Sequence, residues 1–179
     1  MRNYIIYSLV LFLVVGISCG VLAYVHQLTK PLIEENLRLE EELARKVVFP
    51  NATRFEFVEN DLKNYFQVYD AEEQLIGYTI VAVGRGYSSN IQTMVGLNID
   101  LSINNISVIY QNETPGLGDK YVNKDFYKLF IGLKQANMRV DKDGGQIDSI
   151  TGATVTARAI VKAVEEGIGK LNQLLSKSE

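Results

Sequence analysis

The sequence predicts an α+β fold: an N-terminal membrane-spanning helix, then an antiparallel sheet with helices packed against it. Three observations carry this. Residues 4–25 hold no charged side chain and are mostly Leu, Ile and Val. Residues 54–111 break into short, largely alternating apolar segments separated by turn formers, the pattern of half-buried strands. Residues 155–175 repeat apolar side chains at three- and four-residue steps, the pattern of one helix face. Strands grouped before the main helix, rather than alternating with helices, are the α+β arrangement.

The uncharged run comes close to the ~20 residues that cross a bilayer core as a helix. Tyr4, Tyr7 and Tyr24 lie near its ends, where aromatic rings favour the membrane–water boundary. A cleaved signal is the rival, but it would have a shorter apolar region and a clear small-residue cleavage site. Gly16-Ile17-Ser18 before Cys19 is a poor lipoprotein box. The run therefore reads as a retained anchor over residues 1–28. Arg2 and the α-amine precede it, while Lys30, Arg38, Arg45 and Lys46 follow, which by charge alone leans towards a cytoplasmic C-terminal region.

Thr29 and Pro31 suit the cap and first turn of a new helix. Residues 29–50 are thus expected to form a stalk helix, with Leu32, Leu37, Leu39, Leu43 and Val47 set among glutamates and Pro50 ending it. Residues 51–179 are expected to form the folded domain. Strands are predicted at 55–58, 66–69, 76–83, 91–99 and 103–110, with turns at 98–100 and at Asn104-Asn105. A short helix is expected within 123–132. Asp143-Gly144-Gly145 reads as a turn between two further strands, 138–140 and 146–150. The last helix has Val155, Ala159, Ile160, Ala163, Val164, Ile168, Leu171 and Leu175 on its apolar side.

Composition limits the chemistry. A net charge of −3 over 179 residues gives no basic footprint for nucleic acid. One Cys excludes an intramolecular disulfide and a thiolate metal cluster, and one His, His26, leaves little for imidazole catalysis. No catalytic or metal-ligating set is expected, so electron transfer here requires a borrowed cofactor.

The most informative segment is Asp148-Ser149-Ile150-Thr151-Gly152-Ala153-Thr154, which runs straight into the last helix. A helix N-terminus attracts phosphate, because its first amides lack intrahelical partners and the macrodipole is positive there. Gly152 and Ala153 leave room beside Thr154, and Arg158, one turn further along on the same helical side, is expected to reach towards the phosphate charge. The plain alternative is an N-cap by Thr151 or Thr154. Thr156 reads as a local backbone partner. Two more segments belong with this one. Gly84-Arg85-Gly86-Tyr87 lacks the third Gly and the βαβ context of a dinucleotide loop. Glu113-Thr114-Pro115-Gly116-Leu117-Gly118-Asp119 reads either as a plain Pro-Gly turn between strand and helix or as a loop whose two glycines would let backbone approach a flat ring while Leu117 covers its face.

Taken together and in this order, these three segments resemble those of the FMN-binding subunit of the Rnf complexes (RnfG, or RsxG), a family related to NqrC. The resemblance runs from the anchor to the last helix. It implies an FMN-binding domain with FMN joined by a phosphoester to Thr154, installed by a separate flavin transferase. It implies a site drawn from Thr151, Gly152, Ala153, Thr154, Thr156, Glu113, Thr114, Leu117, Gly118 and Tyr87, with Tyr87, Tyr121 and Leu117 as stacking candidates. The family's role is electron transfer between ferredoxin and NAD, coupled to Na+ or H+ transport. Its partners are other membrane subunits and membrane lipid, and its domain lies outside the cytoplasm, against the charge bias above. The alternatives are an NqrC-like subunit feeding quinone, or a tethered binding or sensor module. Such a subunit holds no complete active site of its own.

Overall fold

An apolar run followed by a Glu- and Leu-rich run gives one long helix, α1 (Arg2–Val48). The computed structural model describes residues 2–60 and 64–177; Met1, residues 61–63 and the last two residues of the domain's expected span lie outside it. The chain divides into two compact units, Met1–Leu39 and Glu40–Glu179. In the first unit, Leu11, Phe12, Val21 and Leu22 are all exposed. Residues 4–25 of this helix, uncharged and exposed all round, fit a single-pass membrane anchor.

The expected break before a separate stalk helix does not occur, for Pro31 lies inside α1. Thr29 is not a cap: its hydroxyl donates back to the carbonyl of Val25 at 3.0 Å. Pro31 forfeits one backbone hydrogen bond, and strong helix formers on both sides carry the helix through. α1 stops at Val48, with Pro50 in the turn beyond.

In the second unit, β1 (Arg54–Val58), β2 (Tyr65–Tyr69), β3 (Leu75–Arg85), β4 (Asn90–Asn98) and β5 (Ile103–Tyr110) form one sheet in sequence order. Every neighbouring pair is antiparallel, as the meander reading expects. Asn104 and Asn105 do not turn the chain; both lie within β5. The turn expected at 98–100 does form, over 98–102, where Asn98 N–H donates to the Ser102 carbonyl at 2.9 Å.

The sheet has apolar residues on both faces. On one, Tyr78, Ile80 and Ala82 of β3 join the core of α3 (Thr154–Leu175), through Ile160, Val164, Ile168 and Leu171. Those four α3 side chains are at most 2% exposed. At ~1.5–3 kcal/mol each, their burial outweighs any helix propensity in fixing α3 to the sheet. On the other face, Ala44, Val48 and Phe49 pack with Val68 and Met94. The end of α1 is therefore part of the domain core, although the sequence reading assigns it to the stalk. Gly84 of β3 runs directly beneath α3: a Cβ there would lie 2.3 Å from the Ala159 carbonyl oxygen.

Between β5 and α3 the chain is mostly turns. α2 (Lys124–Lys128) is capped by Asn123, whose side-chain oxygen accepts from Phe126 N–H at 2.9 Å. The strands expected at 138–140 and 146–150 are absent. A single bridge joins Val140 to Ile147, with one 3-10 turn before it at Gln135–Asn137 and another enclosed by it at Asp141–Asp143. Gly145 N–H donates to the Val140 carbonyl at 2.9 Å, which closes the chain too tightly for a ladder to extend.

Candidate functional site

Three loops far apart in sequence meet at the N-terminus of α3. The first is the β3–β4 hairpin, closed by Gly86 N–H donating to the Ser89 carbonyl at 2.8 Å. The second follows β5 and turns at Gly116, whose φ is +78°. The third leads into α3. There Ser149 N–H donates to Asp141 Oδ1 at 3.0 Å and Ile150 N–H to the Tyr121 hydroxyl at 2.7 Å. Gly152 then takes φ +86°, a left-handed conformation that an L side chain resists.

Glu113 ties these loops together. Its Oε2 accepts from Tyr87 N–H at 3.0 Å and from the Thr156 hydroxyl at 2.7 Å. Its Oε1 accepts from Ser88 N–H at 3.0 Å, Ser89 N–H at 2.9 Å and the Ser89 hydroxyl at 3.2 Å. Glu113 is 6% exposed and Thr156 3%. Gly86 and Gly118 flank the acid closely: a Cβ on Gly86 would lie 2.6 Å from Glu113 Oε1, and one on Gly118 would lie 2.6 Å from Glu113 Cβ. Desolvation raises the pKa of this carboxyl, but the Thr156 hydroxyl and the N–H groups of Ser89, Tyr87 and Ser88 outweigh it. They hold it at about 2, against 4.5 normally.

This depressed pKa makes stability fall with acid. The unfolded carboxyl takes up its proton first, so the contribution of Glu113 is fully present above about pH 4.5 and is lost as pH falls towards 2. Denaturant midpoints measured between pH 5 and pH 2.5 should fall, and Glu113→Gln should flatten that part of the acid limb.

Beside this knot lies a cavity of about 340 Å3, lined by Tyr87, Glu113, Thr114, Leu117, Gly118, Gly152, Ala153, Val155 and Thr156. That is within the ~300–1,000 Å3 of small-ligand sites. Eight of the ten residues singled out from sequence line it. The other two, Thr151 and Thr154, are exposed and half-buried respectively, with Thr154 standing between two lining residues. Thr154 opens α3, and the position before it, Ala153, provides no side-chain cap. The first-turn amides thus have no threonine cap, contrary to the plain alternative.

Four sequence expectations are corrected. Thr156 bonds to Glu113 rather than to local backbone. Tyr121 is 1% exposed, packs on Phe126 and is used up by Ile150 N–H, so it is unavailable for stacking. Arg158 grips Asp143 with two hydrogen bonds, at 2.8 and 2.6 Å, rather than reaching towards Thr154. Val155 leaves the core stripe: it is 51% exposed and lines the cavity. Sequence reasoning also missed Ser88 and Ser89; the only signal was a polar run following Gly86-Tyr87.

Comparison with known proteins adds to this geometry. The FMN-binding domain family matches residues 86–169, a span that contains all three loops. The G component of the ion-translocating oxidoreductase complex from Vibrio atlanticus is 31% identical over 187 residues, covering 93% of this chain and 89% of that one. Its counterpart from Methanosarcina acetivorans is 28% identical, covering 86% of each. That of Aliivibrio fischeri is 42% identical over 90 residues, or 46% of this chain and 43% of its own length. Two crystal structures share the fold. NqrC of Shewanella oneidensis has a TM-score of 0.54 at 23% identity, over 72% of this chain and 73% of that one. The C component of the Na+-translocating NADH-quinone reductase of Parabacteroides distasonis has a TM-score of 0.56 at 20% identity, over 69% and 78%.

Proposed function

Because this chain belongs to the RnfG family, the G components of ion-translocating oxidoreductase complexes, we propose that it is the flavin-carrying electron-transfer subunit of an Rnf-type complex. In this reading FMN is joined through a phosphoester to Thr154. The observation that carries it is the cavity built by three separate loops against an α3 N-terminus without a side-chain cap.

The residues suit FMN at both ends. Free first-turn amides and the helix dipole offset phosphate charge, and Gly152 and buried Ala153 place little bulk beside the Thr154 hydroxyl. Leu117, Val155 and Tyr87 give the cavity apolar surface for a flat ring. Gly118 and Gly152 let backbone come close to it, and Thr114 adds a hydroxyl. Thr151 lies within the attachment segment. Bound FMN supplies the capacity to take two electrons and release them singly, which the side chains of this chain lack. The protein positions the ring, shields it from water and holds it against escape.

The same reading assigns the chain to electron flow between ferredoxin and NAD, coupled to Na+ or H+ transport, with other membrane subunits as partners and a flavin transferase for maturation. Residues 1–28 anchor it in the inner or plasma membrane, α1 runs on from that anchor, and the unit from Glu40 onward, whose core includes Ala44 and Val48, carries the flavin outside the cytoplasm. A chain lacking residues 1–28 should stay in the supernatant after ultracentrifugation, whereas the full chain should sediment with membranes.

The deciding experiment is intact and peptide mass analysis of chain co-produced with its flavin transferase. Trypsin releases residues 143–158 as one peptide, since Lys142 and Arg158 bound a stretch with no other Lys or Arg. An added mass of FMN less one water, located on Thr154 by fragmentation, is expected. An unmodified peptide, or the added mass on Thr151 or Thr156, would overturn the assignment.

A further inference from the structure

The strongest unassigned feature is the charge of Glu113 in the cavity wall. Its carboxylate accepts from three backbone N–H groups and two hydroxyls. An acceptor of that many donors is ionised, for a protonated carboxyl would turn one oxygen into a donor facing them. The ion pairs identified among the described residues do not include Glu113. The donors are neutral dipoles that stabilise the anion without cancelling its charge. An anion on one wall of a partly desolvated cavity acts strongly on whatever charge develops inside it.

Resting on the reading above, we propose that Glu113 lowers the reduction potential of the flavin. The carboxylate opposes the negative charge that reduction adds to the ring, while the Thr156 hydroxyl and the N–H groups of residues 87–89 keep it ionised and in place. Thr156 has the opposite influence. Its hydroxyl points a positive dipole at the carboxylate and partly compensates the charge felt in the cavity. Glu113 therefore both joins the loops and biases the site towards giving electrons up.

The two residues allow a test in which loosening of the site and charge make different predictions. Full-length chain, loaded by its transferase and held in detergent, is titrated with dithionite against a reference dye to obtain the midpoint potential of the two-electron couple. Glu113→Gln removes the charge and should shift the midpoint to more positive values. Thr156→Val removes the compensating hydroxyl at nearly constant shape and should shift it to more negative values. Midpoints equal to wild type, or shifts in the same direction, would overturn the proposal, since loss of packing alone has no reason to act with opposite sign. If Glu113→Gln does not fold, Thr156→Val decides: a negative shift supports the proposal, and no shift or a positive one defeats it. Intact mass reports flavin occupancy separately. An unmodified wild type defeats attachment at Thr154, whereas a loaded set with unshifted potentials defeats only the role of Glu113.

Discussion

Thr154→Ala should yield a chain that carries no covalent flavin yet is folded as well as the wild type. The hydroxyl at this position is the only group the proposed ester requires, so its loss should remove the flavin band from denaturing gels entirely. Little else depends on it. Thr154 is half-buried, begins α3 and caps nothing. Ala is the better helix former, and substitutions away from core, cap or network sites usually change stability by less than ~0.5 kcal/mol. Circular dichroism and the denaturant midpoint should both match wild type. A flavin band that survives in the Ala variant would place the bond elsewhere. Thr156→Ala provides the contrast. Its hydroxyl donates to a buried carboxylate, and loss of a hydrogen bond to a charged group costs about 1.5–3 kcal/mol. That variant should be measurably less stable while keeping its flavin.

Gly84→Ala should be among the most destabilising single-methyl changes in the domain. The added Cβ would sit 2.3 Å from the Ala159 carbonyl oxygen and 3.0 Å from Ala163 Cβ, both on α3. Backbone cannot swing aside as a long side chain can, so relief requires α3 to lift from β3. That motion would loosen the packing of Ile160 and Val164, which are at most 1% exposed. Overpacking of this kind costs about 1–3 kcal/mol, read as a lower denaturant midpoint with an unchanged slope. Because α3 also places Thr154 beside the cavity, flavin loading should fall in step with stability. A variant as stable as wild type would mean that the helix and strand are packed less tightly than their geometry implies.

The sheet was legible because strand residues repeat with period two, and that signal needs only a few positions. Ile106, Val108 and Tyr110 announce β5 this way, whereas Ile76 through Val83 shows itself as a short, nearly continuous apolar run between turn formers. The final helix was legible for the same reason at period 3.6, except at Val155, where helical phase points to the core but the helix has only just begun. The region from Met138 to Ile150 was misread, because a short apolar run beside Gly-Gly looks the same whether it extends or coils. The choice was made by Gly145 closing on Val140, a contact that no local pattern encodes. Pro31 was misread through local logic too, for propensity marks a start that the flanking helix formers override. The site itself was found through motif order, not chemistry. Gly84 and Gly86 looked like parts of one loop, yet one seats α3 and the other seats Glu113. The Glu113 knot spans residues 87–89, 113 and 156, so nothing short of the fold reveals it.

The order of the strands has a consequence for synthesis. Each strand from β2 onward pairs with the one made just before it, so the sheet can assemble as the chain emerges. α3 comes last, and it supplies one whole layer of the core together with the residue proposed to carry the cofactor. A chain that stops short of α3 has no attachment residue, and one that reaches α3 without docking it has no finished cavity. Under the proposed attachment at Thr154, a flavin label would therefore mark a chain that has been made through the start of its last element.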